Sequence, residues 1–272
     1  MLTDLEIGQF RAFGYVVVKD CLYADELRRV QEAFDRVTEA APDYTDFGPA
    51  GTTRSVSFME EEESLGALIE HPKVMEAMRD IDGAEFLYTG NGDLTANVDD
   101  VYWHCDGTPG LQAMTVKTVF YLSEANDGDG ALNIIPGSCH PDFSAALFRS
   151  YAPLGEEYRR RSHDEAIEEI VPGIIQVIAN PGDVVVWDNR LWHSAWKRKD
   201  GKPRRNIFFN YVRDPQDDPI RTREVHEHVT QYRAGSARPF VYTRKMIRAG
   251  GPAREKMAAR LEALGVENVR EG

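Results

Sequence analysis

The chain has 272 residues, with 45 acidic against 32 basic side chains and a formal net charge of −13. That negative surplus disfavours general binding to nucleic acid or to an anionic membrane surface, and a small-molecule substrate suits it better. A chain this long can bury a large core, and all-β domains of roughly 200 to 250 residues occur as single units, so one domain over 1–272 is expected. No apolar run approaches the roughly 18 residues that a membrane-spanning helix needs. Met1-Leu-Thr-Asp-Leu-Glu6 lacks a charged-then-apolar signal pattern, so a soluble, cytoplasmic protein is expected. Cys21, Cys105 and Cys139 form no even disulfide framework and suit a reducing compartment.

In chain order, Ala24 to Thr38 places Leu27, Val30, Phe34 and Val37 at helical spacing with Asp25 near the start, which predicts a packing helix. Pro42 to Ser57 is polar and glycine-containing and reads as a loop that could border a site. Glu60-Glu-Glu-Glu63 reads as a solvated face. Ser64 to Met78 carries Leu65, Leu68, Ile69, Val74 and Met75 at helical spacing, with Pro72 expected to break or restart the helix. Val101-Tyr-Trp-His-Cys-Asp106 is aromatic and β-prone. Thr115 to Leu122 and Ala131 to Ile135 read as a hairpin around the turn Glu124 to Gly130. Ser138 to Ile170 is a long charged excursion, either a lid or partner surface or a helical decoration. Strands resume at Val171 and Ile174 to Ile178. The turn Pro181-Gly-Asp183 leads into a hydrophobic strand from Val184 to His193, and after the polar turn Lys197 to Pro203, Arg204 to Tyr211 reads as the next strand. Pro252 to Leu264 reads as a helix, with proline at its first position and Gly265 past its end.

Residues two apart in a strand point to the same face, so His104 and Asp106 could grip one ion. Taken alone, they could equally be a hydrogen-bonded pair. His193, at the end of a distant strand, offers a third ligand. Two imidazoles and a carboxylate on one triangular face leave three positions open, as in non-heme Fe(II) oxygenases. Arg204 and Arg205 would face opposite sides of their strand. Arg204, eleven positions after His193, is the choice for holding the carboxylate of a dicarboxylate cosubstrate such as 2-oxoglutarate, because a guanidinium matches that shape with two parallel bonds.

The ordered set Tyr102-Trp-His-Cys-Asp106, Gly128-Asp-Gly-Ala-Leu-Asn-Ile-Ile-Pro-Gly-Ser-Cys-His140, and His193 with Arg204 resembles the phytanoyl-CoA dioxygenase family, which includes the ectoine hydroxylases. Phe13-Gly-Tyr-Val-Val-Val-Lys19 and the helix after it are similar to the start of such proteins. The resemblance implies a mainly β fold, a double-stranded β-helix or jelly roll with flanking helices. It would place helices over about 1–80, the core over about 85–215 and a helical extension over about 216–272. It implies Fe(II) held by His104, Asp106 and His193, 2-oxoglutarate held by Arg204, and O2 as oxidant, with succinate and CO2 released. It also implies a polar residue upstream of His104 that helps hold the cosubstrate, for which Asn91 is the candidate. Ala195 stands where the family often has serine. Asp106 is present, whereas related halogenases have a small residue there, so the resemblance implies hydroxylation or another oxidation without halide.

Lys117, Arg205 and Arg213 could meet an anionic substrate or be exposed strand charges. His226 and His228 read as surface residues, and His140 and His163 as non-ligands. Cys105 and Trp103 should face away from the metal, and packing is the default for Trp103, Trp187 and Trp192. Two other classes stay open: a jelly-roll metalloenzyme that does not use 2-oxoglutarate, and a silent binding protein on the same scaffold. Pocket loops, rather than the iron motif, choose among substrates.

Overall fold

The computed structural model describes residues 1–40, 52–55, 58–97, 100–107, 112–126, 129–151, 173–234, 240–266 and 269–270. At the N-terminus Thr3 forms a capping box with Glu6. The Thr3 hydroxyl accepts from the Glu6 N–H at 3.3 Å, and the Glu6 carboxylate accepts from the Thr3 N–H at 2.7 Å. Two donors that a helix start leaves unsatisfied are met this way, and α1 (Asp4–Phe13) begins there. Gly14, at φ +86°, ends it and the chain enters β1 (Tyr15–Val18).

The helix α2 (Ala24–Ala40) buries Val30, Phe34 and Val37 along one face. After β2 (Thr52–Ser55) come α3 (Phe58–Glu61), α4 (Glu63–Gly66), a 3-10 turn (Ala67–Glu70) and α5 (Pro72–Asp82). The break falls at Pro72, which suits a first turn because its missing N–H would have no helical partner. Glu62 does more than face water, since its carboxylate accepts two bonds from Arg36, at 2.8 and 3.0 Å.

The core strands are β3 (Phe86–Asn97), β4 (Val101–His104), β5 (Thr115–Tyr121) and β6 (Leu132–Ile134), then, after α6 (Pro141–Tyr151), β7 (Ile175–Val177), β8 (Val184–Asp188), β9 (His193–Ala195) and β10 (Arg204–Arg213). Among the described residues six strands form one sheet in the order β1-β8-β5-β10-β3-β2, and four form a second, β4-β9-β6-β7. Every pairing in both is antiparallel. This is the expected double-stranded β-helix.

Strand alternation sorts the side chains. Val116, Phe120, Val184, Val186, Ile207, Phe209 and Tyr211 join the helices in the larger core, while Val119, Tyr121, Val185 and Trp187 meet Leu132 and Ile134 of the second sheet. Trp103 and Trp192 pack with Ile135 and Leu147 of α6 on the outer side of the smaller sheet. After β10, α7 (Pro219–Ala234), β11 (Tyr242–Thr243), α8 (Arg244–Ala249), α9 (Pro252–Ala263) and β12 (Val269–Arg270) complete the chain. Met257 and Leu261 of α9 are buried in the larger core, and Gly265 follows the helix at φ +79°. Among the described residues no helix is long and apolar enough to cross a membrane.

Three expectations are corrected. The stretch 42–57 is not loop throughout, because Thr52–Ser55 pairs with β3, whose edge would otherwise expose unpaired backbone groups; 41–51 and 56–57 lie outside the described residues. The strands around Glu124 to Gly130 exist but form no hairpin: β5 lies in the six-stranded sheet and β6 in the four-stranded one, so the connection crosses between sheets. Likewise Val184 to His193 is two strands. The chain turns at Asn189 and Arg190, where the Asp188 carboxylate accepts from the Arg190 N–H and Nε, both at 2.9 Å, and β9 starts in the other sheet. The 138–170 excursion contains α6; residues 152–172, including His163, lie outside the described residues.

Candidate active site

His104 and His193 are direct partners in the β4–β9 ladder, so their imidazoles share a face, with ring centroids 4.2 Å apart. The chain then leaves β4, and the Asp106 N–H donates to the Asn189 carbonyl at 2.9 Å, tying the carboxylate's loop to the end of β8. Gly107 permits this approach, because a Cβ there would lie 2.6 Å from Cγ of Arg190 and 3.0 Å from its Cα. Asp106 Oδ1 stands 3.7 Å from His104 Nε2, and Oδ2 stands 3.5 Å from His193 Nε2. One ligand atom from each of the three residues lies within 4.8 Å of the others. The turn Pro136-Gly-Ser138 supports the start of β9: the Ser138 hydroxyl accepts from the Trp192 N–H at 2.8 Å, and the Ile135 N–H donates to the Trp192 carbonyl at 3.0 Å.

Protonation suits the triad to a cation. His193 Nδ1 lies 2.9 Å from the Leu191 carbonyl, which can only accept, so the proton belongs on Nδ1 and the Nε2 lone pair faces Asp106. Burial, then the charge of His104, pushes the His193 imidazole down to about 3, against the pull of Asp106. It is therefore neutral at physiological pH. For Asp106, burial opposes ionisation, but Lys117, followed by His193 and His104, outweighs it and holds the carboxyl below the ordinary aspartate range. Because His193 is neutral, Lys117 is the cation that matters more there. Its ammonium donates to Asp106 Oδ2 at 2.8 Å. The donor set, two nitrogens and one anionic oxygen converging from one side, fits an iron ion with open positions. Solvent reaches it from the His104 and Asp106 side, where those side chains are 40% and 28% exposed.

Arg204 and Arg205 part as strand alternation requires. Arg205 reaches α2, where its guanidinium donates to Asp35 at 2.6 Å and to the Gln31 carbonyl at 3.0 Å. Arg204 turns inward and is only 4% exposed, donating to the Trp196 carbonyl at 2.6 Å. Gly130, at φ +81°, makes room for it, since a Cβ there would meet the Arg204 stem at 3.3 Å. Two polar groups that the sequence did not single out lie near Arg204. Burial pushes the Tyr121 hydroxyl well up, against the neighbouring charge of Arg204, so it stays a donor. Asn206 is the ladder partner of Tyr121, and among the described residues its buried side-chain oxygen has no hydrogen-bond partner. A buried guanidinium with a hydroxyl donor beside it fits a carboxylate.

Other candidates fall elsewhere. Arg213 pairs with Asp82 of α5. His226 Nε2 meets the Gly265 carbonyl at 3.1 Å, and His140 Nε2 meets that of Ala12 at 3.1 Å. Cys105 packs against the Trp103 cluster on the outer side. Asn91 lies on β3, next to β10, and its side chain is outside the described residues. Trp187, fully buried, stacks edge-on against His193 at 5.4 Å and against Phe208 at 6.5 Å, a packing role that also walls the triad.

The family model for phytanoyl-CoA dioxygenase (PhyH) matches residues 10–206. Among curated proteins nothing matches significantly. Among solved structures, HygX from Streptomyces hygroscopicus, with nickel and 2-oxoglutarate bound, is similar in fold at TM-score 0.64 and 18% identity, over 78% of this chain and 87% of that one. The non-heme alpha ketoglutarate dependent carbocyclase SnoK from nogalamycin biosynthesis matches at TM-score 0.59 and 18% identity, over 78% and 85%. EctD from S. alaskensis, with bound Fe, matches at TM-score 0.57 and 18% identity, over 78% and 76%.

Proposed function

The chain belongs to the phytanoyl-CoA dioxygenase family, and we propose that His104, Asp106 and His193 hold its Fe(II) while Arg204 holds 2-oxoglutarate. Membership with this donor set makes it an Fe(II)- and 2-oxoglutarate-dependent dioxygenase. The observation that carries the residue assignment is the convergence of the three ligand atoms within 4.8 Å, with His193 Nδ1 held 2.9 Å from the Leu191 carbonyl. When bound, iron and 2-oxoglutarate supply, with O2, an oxidant for an unactivated C–H bond, and succinate and CO2 leave.

The chain's own residues do the rest. Leu191 holds the His193 ring by its Nδ1 proton. Asp106 brings a fixed negative charge. Arg204, with Tyr121, receives the remote carboxylate of 2-oxoglutarate, and Asn91, on the neighbouring strand, remains the proposed upstream contact. Trp187 and Phe208 exclude water from the inner side, so that the solvent-facing edge at His104 is where a substrate presents its C–H bond.

The substrate is proposed to be a small metabolite or natural-product intermediate, and hydroxylation the outcome. The open edge of the triad, the acidic chain and the family support this reading, as does the carboxylate at Asp106 where a halogenase would need a small residue. A cytoplasmic setting is supported by three free thiols, Cys21, Cys105 and Cys139. The whole chain is proposed to act as one domain, because α9 packs into the larger core. The test is anaerobic titration of the metal-free protein with Fe(II) and then 2-oxoglutarate, watching the visible charge-transfer band of a chelated keto acid. The band is expected in the wild type and lost in His193→Ala; a band of full intensity in His193→Ala would refute the assignment.

A further inference from the structure

Lys117 stands outside the ligand set yet touches it, and what it does rests on the metal-site reading above. We propose that Lys117 is a positioning residue: its ammonium occupies one oxygen of Asp106, so that the carboxylate offers only the other to the metal.

The geometry is specific. Lys117 sits mid-strand on β5, paired with Trp187 of β8 on one side and Asn210 of β10 on the other. Its side chain is 14% exposed, and its ammonium lies 5.3 Å from the Phe208 ring centroid and 5.9 Å from that of Trp187. From this rigid base it donates to Asp106 Oδ2 at 2.8 Å, leaving Oδ1 turned toward His104. The backbone of the same residue is held from the same rung of the sheet. The Asp106 N–H donates to the Asn189 carbonyl at 2.9 Å, and the Asn189 amide donates to Asn210 Oδ1 at 3.2 Å.

Asp106 needs such a restraint because it has left β4 and its side chain is 28% exposed. A carboxylate free to turn could bind with both oxygens and fill a position that O2 or the cosubstrate requires. Groups that orient a ligand in this way commonly change metal affinity about 10- to 100-fold when removed. The opposite effect is also physically available, since a cation beside a metal site repels the metal. The sign of the change therefore separates the two roles.

The experiment uses the full chain stripped of metal and titrated anaerobically with Co(II) alone, reading affinity by chelator competition and geometry by the visible Co(II) spectrum. Lys117→Met keeps an unbranched apolar stem between the two rings. It is expected to weaken Co(II) binding roughly 10- to 100-fold and to alter the spectrum, and Lys117→Arg to recover most of both. In an Asp106→Asn background, where the charged oxygen is gone, Lys117→Met is expected to change affinity less than about twofold. Undiminished or tighter binding by Lys117→Met, or an equal loss in the Asp106→Asn background, would overturn the proposal. Absence of Co(II) binding by the wild type, or full binding by His193→Ala, would overturn the triad itself and is distinguishable from failure of the Lys117 role alone.

Discussion

Replacing Arg204 with methionine isolates the charge that is assigned to 2-oxoglutarate. Arg204 is 4% exposed, so its interaction with a carboxylate takes place largely out of water. Removing one partner of such a buried pair costs about 3 to 5 kcal/mol, because the other charge is left uncompensated. At about 1.4 kcal/mol per tenfold, 2-oxoglutarate should bind roughly 140- to 4,000-fold more weakly. The Trp196 carbonyl also loses a 2.6 Å hydrogen bond, which predicts a modest loss of stability of about 1 to 3 kcal/mol rather than unfolding. The assay is a 2-oxoglutarate titration of the Fe(II)-loaded protein under anaerobic conditions, beside a melting curve that checks folding. Arg205→Met is the internal control. That side chain pairs with Asp35, which is 53% exposed, so the pair contributes at most about 1 kcal/mol and 2-oxoglutarate affinity should not move. An Arg204→Met protein within threefold of wild-type affinity, or an equal loss in Arg205→Met, would refute the reasoning.

Tyr121→Phe removes one hydroxyl donor beside Arg204 and is expected to weaken 2-oxoglutarate roughly tenfold, in line with a hydrogen bond to a charged group; an unchanged titration would take Tyr121 out of the site. Burial lowers His193 from the ordinary value of 6.5 to about 3, so the unfolded chain binds the extra proton first. Stability of the metal-free protein attributable to His193 is therefore complete above about pH 6.5 and is lost as pH falls toward about 3, by at most about 1.4 kcal/mol per pH unit. Denaturation curves between pH 7 and 4 should show a shallower acid loss in His193→Gln, and identical slopes would contradict this. Leu261→Ala, in a fully buried position on α9, should cost about 2 to 5 kcal/mol, measured by denaturant unfolding. A negligible loss would mean that the C-terminal helices are not part of the catalytic unit.

The triad is legible in the sequence because two of its members stand two apart in a β-prone run and the third closes a hydrophobic one. The jelly roll follows from the ordered motifs around them. Chain reversal between sheets is not legible: β8 and β9 read as one strand because Leu191 and Trp192 continue the apolar pattern, although each packs in a different cluster. The supposed hairpin of β5 and β6 fails for a related reason, since a seven-residue polar turn can close a hairpin or cross between sheets with equal ease. Asn210 and Lys117 show the remaining limit. A polar residue in a strand looks the same whether it faces water or the barrel interior until the register fixes which face is which. β2 was hidden for want of hydrophobic alternation in Thr-Thr-Arg-Ser, which pairs through backbone groups on the β3 edge.

The most direct test of the account is the iron anomalous signal from crystals of this protein loaded anaerobically with Fe(II). The account predicts one strong peak within bonding distance of His104 Nε2, His193 Nε2 and a single oxygen of Asp106, with the other oxygen still on Lys117. A peak bound by other residues, or none in crystals that contain Fe(II) at saturating concentration, would contradict it.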